Sequence, residues 1–134
     1  MSKKAPPPQF STSISDFCGM MEKAVRDYEW NSAEVVRMDR LTQDYLHKLE
    51  LEDLDYKERA KLATQLARCR QARRESKETT EVLEPLVQFL DSEKGKNLLN
   101  LTREALGKTR KVEERMQTRV YFHRVLDEKP IIGR

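Results

Sequence analysis

Ten positions between Phe17 and Leu49 are separated by alternating steps of four and three: Phe17, Met21, Ala24, Tyr28, Asn31, Val35, Met38, Thr42, Tyr45 and Leu49. Such steps keep side chains on one stripe of an α-helix, whereas a strand needs a period of two. Eight of the ten are apolar or aromatic, and Asn31 and Thr42 are the exceptions. The pattern predicts a helix over about residues 14–51, roughly 57 Å long, with Ser13 or Ser15 as its cap. Composition agrees: Ala, Glu, Lys, Leu and Arg make up 64 of 134 residues. That share, with this period, marks long helices. Four glycines and five prolines are too few for a turn-rich β-sandwich or barrel.

A second seam follows the same rhythm through Leu62, Leu66, Cys69, Arg73, Ser76, Thr80, Leu83, Val87 and Leu90. The segment Leu51–Asp55 reads as the turn between the two, with Asp55 and Glu58 spaced as a capping box. An antiparallel hairpin then sets Leu49 against Leu62, Tyr45 against Leu66, Thr42 against Cys69, Met38 against Arg73 and Asn31 against Thr80. Polar Asn31 and Thr80 thereby share a layer, which costs stability but fixes register. Pro85 removes one backbone hydrogen bond and is expected to kink or restart the second helix. The segment 91–97 reads as a second turn. A third helix follows over about 98–125, with the stripe Leu98, Leu101, Ala105, Val112, Met116 and Val120.

These elements define an all-α chain: a long antiparallel hairpin plus a third helix, an elongated coiled-coil-like bundle. Residues 1–12, with three consecutive prolines, form a disordered arm; residues 13–126 form a single helical domain; residues 127–134 form a tail. The polar seam positions Asn31, Arg73 and Ser76 would be poorly buried in a lone copy, so self-association or a partner is expected, with a homodimer favoured.

No apolar run approaches the roughly 18 residues of a membrane span, and the N-terminus lacks an apolar leader segment. A cytoplasmic location is expected. Cys18 and Cys69 stand 51 residues apart with no CxxC pattern, which suits two reduced thiols. Net charge is +3, unevenly spread. Asp16–Asp55 holds 11 acidic and 5 basic residues, Lys57–Lys77 holds 8 basic and 2 acidic, and Arg103–Arg124 holds 7 basic and 3 acidic. Neutralisation inside the bundle accounts for this pattern, and so does a basic face for nucleic acid or an acidic partner.

Catalytic motifs fail on inspection. Gly107-Lys108-Thr109 imitates the end of a phosphate-binding loop, but Thr102 stands where that loop needs its first glycine, and a helical pattern surrounds it. Asp44-x-x-His47 is half of a two-metal bundle motif with no second half. Glu78, Glu81 and Glu84 resemble a magnesium-holding carboxylate set, but the adjacent Glu113 and Glu114 point about 100° apart on a helix and supply no second pair. Two scattered histidines allow no nucleophile–base arrangement. The chain reads as a non-enzyme with no catalytic, metal-binding or cofactor-binding residues.

Binding residues are more legible. Arg70, Arg73, Arg74 and Lys77 share a helix face and need an answering charge. Asp39, Glu34 and Asp44 are the nearest acidic candidates. Lys108, Arg110, Lys111, Arg115, Arg119 and Arg124 supply further possible nucleic-acid contacts, although only Tyr121 and Phe122 offer stacking nearby. Trp30 and Leu41, eleven residues apart, project within about 20° of each other and fall off the main seam. They either receive the third helix or form an exposed anchor for a partner.

The blocks Met38–His47, Asp55–Ala60, Arg70–Lys77 and Leu106–Glu113 together resemble small helical proteins of unassigned function encoded by bacteriophages and prophages of Firmicutes. The likeness covers about residues 25–126. It implies a protein of the infected bacterial cytoplasm that acts by binding, including inhibitors of host nucleic-acid enzymes or of defence systems in the manner of anti-CRISPR proteins. It implies no active site. The alternative expectation is a nucleic-acid-binding accessory protein that uses the basic faces of helices two and three.

Overall fold

The computed structural model describes residues 9–119 of the chain. Three helices account for nearly all of them: α1 (Phe10–Leu51), α2 (Tyr56–Asp91) and α3 (Glu93–Thr118). No strand occurs among the described residues. The protein is an all-α bundle, as the heptad spacing predicts.

Both seams lie inside. Every one of the ten α1 positions and nine α2 positions is buried or half-buried, with Met21, Ala24, Met38, Thr42, Leu62, Cys69, Ser76 and Leu90 the most enclosed. In the middle of the hairpin the predicted pairing of Thr42 with Cys69 is present. Thr42 Oγ1 lies 3.6 Å from Cys69 Sγ, and that thiol also donates to the Met38 carbonyl at 3.3 Å. Arg73 donates to Asp39. The two polar positions expected to share a layer bond locally: Asn31 donates to the Asp27 carbonyl and Thr80 to the Lys77 carbonyl. Each polar group is answered by its own helix. Among the described residues no fully buried side-chain nitrogen or oxygen lacks a partner. The poorly satisfied polar seam that favoured a homodimer is therefore not present, and that ground for self-association falls.

Three boundaries differ from expectation. Helix α1 begins at Phe10, so residues 10–12 belong to it and not to an arm, and neither Ser13 nor Ser15 caps it. Its N-cap, Gln9, makes no side-chain capping bond. Instead the Ser11 amide donates to Glu113 Oε1 of α3 at 3.0 Å, and the Ser11 hydroxyl donates to the other carboxylate oxygen. A carboxylate from another helix thus answers a free N–H of the first turn. Asp55 caps α2 as read, accepting from the Glu58 amide at 2.8 Å. Helix α2 continues through Pro85 without splitting, with Leu83, Val87 and Leu90 packed in the seam on either side. The expected seven-residue second turn is a single residue, Ser92. Its amide and hydroxyl donate to the Phe89 carbonyl, and its oxygen accepts from the Gly95 amide at 3.1 Å, so it closes one helix and opens the next.

Ser11 meets Glu113 and Glu22 meets Arg103 at 2.7 Å, so α3 runs antiparallel to α1. Helix α2 does the same, so α2 and α3 cross α1 in one sense. Helix α1 is the spine, with α2 along its C-terminal part and α3 along its N-terminal part. The first turn of α3 sits tightly against the end of α2: a Cβ on Gly95 would lie 1.9 Å from the Phe89 carbonyl oxygen. Gly95 is buried for that reason.

The third helix docks on a stripe other than the one expected. Leu98, Leu101, Val112 and Met116 are 40–59% exposed, and Ala105 is also exposed. The inner face is instead Gly95, Leu99, Thr102, Leu106, Thr109 and Glu113, all buried or half-buried. This second set also alternates four and three. Val120, the expected helix end at 125 and the 127–134 tail lie outside the described residues, as do residues 1–8.

Candidate interaction surfaces

Trp30 stands 62% exposed on the outer face of α1. One turn before it, Lys23 and Asp27 form an ion pair at 2.6 Å; one turn after it, Glu34 and Arg37 form another at 2.9 Å. Glu34 raises the proton affinity of Arg37, chiefly through their hydrogen bond. The indole is thus an isolated apolar disc with a polar rim. Leu41 is half-buried. Helix α3 docks lower on α1, near Ser11, Glu22 and Val25, and does not cover Trp30. Of the two roles read for this pair, the packing role does not apply to Trp30.

Arg70, Arg73, Arg74 and Lys77 of α2 divide into two pairs. Asp39 takes both Arg73, at 2.5 Å, and Arg70, at 3.5 Å. Glu34 is engaged with Arg37 instead, and Asp44 is exposed with no ion pair among the described residues. Arg74 and Lys77 have no ion pair among the described residues and border a shallow groove with Arg70, Arg73, Glu78 and Glu81. The groove therefore carries carboxylates as well as cations.

The basic residues of α3 do not form one face. Helical rotation puts Lys108, Arg115 and Arg119 together, Lys111 at their edge and Arg110 on the far side. Lys108 approaches Glu104 at 3.8 Å. Arg110 instead helps hold the Glu113 carboxyl below its usual range, after the two hydrogen bonds from Ser11, which do most of it. Arg124 lies outside the described residues.

The structure places the residues of the rejected motifs as follows. Gly107-Lys108-Thr109 lies inside α3, where its amides bond along the helix and cannot cradle a phosphate. Asp44, His47, Glu78, Glu81 and Glu84 are all exposed. No group of three or more metal-ligating side chains gathers among the described residues. Cys18 and Cys69 are buried and unbridged. Among the described residues no helix is long and apolar enough to cross a membrane.

Sequence reasoning found Leu98, Leu101, Ala105 and Val112 but read them as the docked stripe, and so missed both the inner seam and the bareness of the outer one. Lys94, Leu98, Leu101, Ala105, Lys108, Val112, Arg115 and Arg119 alternate four and three without interruption, and all are exposed. Two heptad seams, one docked and one bare, therefore run side by side on α3. The alternation itself was the available signal.

No protein-family model, curated protein or solved structure matches the chain.

Proposed function

We propose that the protein is a non-enzymatic interaction protein of phage type that acts by binding a protein partner. The observation that carries this reading is the exposure of its apolar side chains. Among the described residues thirteen large hydrophobics are exposed. A monomer tolerates scattered apolar residues, but Trp30 at the centre of a polar rim and an unbroken heptad seam on α3 have the layout of binding anchors. A host nucleic-acid enzyme or a defence system is the favoured class of target, on the resemblance to phage and prophage proteins.

Affinity capture of the tagged chain from its native cell lysate, with and without nuclease, tests the reading. A protein retained after nuclease, and lost from Trp30→Glu, supports it. Loss of every partner on nuclease treatment overturns it in favour of a nucleic-acid-binding accessory protein. Arg74 and Lys77, uncommitted to any carboxylate, are the observation behind that second reading. It requires affinity for duplex DNA that falls with salt at a log–log slope of about −0.9 per phosphate contacted.

A further inference from the structure

We infer that the outer seam of α3 is a docking face for one acidic amphipathic helix of a partner protein. This rests on the interaction reading and adds the place and the chemistry of the contact. The apolar positions Leu101, Ala105 and Val112 share the seam with the cations Lys108, Arg115 and Arg119. The apolar stripe is only two side chains wide, the width of a coiled-coil seam and narrower than the face a helix lays on a core or a lipid surface. At its C-terminal end Val112, Met116, Arg115 and Arg119 line a shallow depression. Arg115 and Arg119 have no ion pair among the described residues.

Charge decides the occupant. An antiparallel second copy that pairs Leu101 with Val112 would set Arg115 against Leu98 and Lys108 against Ala105, leaving those charges unanswered, and would bring Lys94 opposite Arg119. Like charges directly opposed are unfavourable. Nucleic acid would meet the cations with phosphates but would desolvate Leu101 and Val112 against no apolar partner. A helix with apolar residues opposite Leu101, Ala105 and Val112 and carboxylates opposite the cations satisfies both halves.

The test uses the full chain and a fluorescent four-heptad peptide with leucine at its seam and glutamate at the positions facing the cations. Anisotropy should report binding that weakens about tenfold or more in the double variant Leu101→Glu, Val112→Glu and in Arg115→Glu. Arg40→Glu, exposed on another helix, should leave it unchanged. A peptide with lysine in place of glutamate should not bind. All four side chains are exposed, so the variants should retain wild-type circular dichroism. Equal affinity of every variant, or no binding at all, overturns the proposal. So does binding to phosphatidylserine vesicles or duplex DNA that depends on Leu101 and Val112 when the peptide does not bind. A dimer in sedimentation that dissociates in the double variant assigns the seam to a second copy and likewise overturns it. A lysate partner retained by the double variant but lost from Trp30→Glu removes this seam and leaves the interaction reading intact. Absence of any nuclease-resistant protein partner removes that reading, while the peptide still judges the seam on its own.

Discussion

Thr42 and Cys69 face each other across the hairpin, hydroxyl to thiol at 3.6 Å, although they are 27 residues apart in the chain. Cys69 also points its thiol at the carbonyl of Met38, one turn before Thr42, and lies 3.6 Å from the Met38 sulfur. The layer is small and polar at its centre. It holds the hairpin in register at this level, since a slip of one residue would bring the seam out of phase. Just beside the layer, Asp39 receives Arg70 and Arg73 of α2.

Asp39→Ala should destabilise the hairpin by about 1 kcal/mol, because it leaves Arg70, Arg73, Arg74 and Lys77 as unanswered like charges on one face. Urea denaturation at low and high salt checks this. The loss should shrink as salt screens the repulsion.

Leu106→Ala should cost about 2–4 kcal/mol, since Leu106 is 9% exposed on the inner seam of α3. Leu101→Ala, 54% exposed on the outer seam, should stay within about 0.5 kcal/mol of wild type. Chemical denaturation of the two variants separates the docked stripe from the bare one. The reverse ranking would mean that α3 docks the other way round.

Gly95→Ala should disrupt the α2–α3 junction and lower the denaturation midpoint, because the added methyl would meet the Phe89 backbone at 1.9 Å. Gly107→Ala should raise the midpoint by about 1 kcal/mol of stability, since nothing lies within 4 Å of its Cβ position and alanine is the better helix former.

The clasp between Ser11 and Glu113 should make α3 docking sensitive to acid. Hydrogen bonds from Ser11 hold the Glu113 carboxyl below its ordinary value of 4.5. A carboxyl depressed in the folded state contributes stability that is fully present above its unfolded pKa and is lost as pH falls through the folded value. Carboxyl titration by NMR should show Glu113 moving up in Ser11→Ala, which removes the hydroxyl donor and keeps the amide donor. An unshifted Glu113 in the wild type would refute the clasp.

The sequence by itself determined the hairpin. Heptad alternation over Phe17–Leu49 and Leu62–Leu90 specifies two long helices and their facing stripes, and because an antiparallel pair has one register that joins both apolar ends, the partners followed. Asp55 was legible as a cap because a carboxylate three residues before a free amide satisfies a local geometric rule. Only the tertiary structure decided how α3 sits. Its two seams have the same period, and the one richer in large apolar residues is the one left bare, because docking was set by close approach. Gly95 has no side chain to keep α3 off Phe89, and Ser92 closes the turn in one residue. The start of α1 was equally unreadable locally: the group that answers the Ser11 amide is Glu113, 102 residues away. Trp30 was visible as a residue off the seam, but its exposure depended on where α3 came to rest.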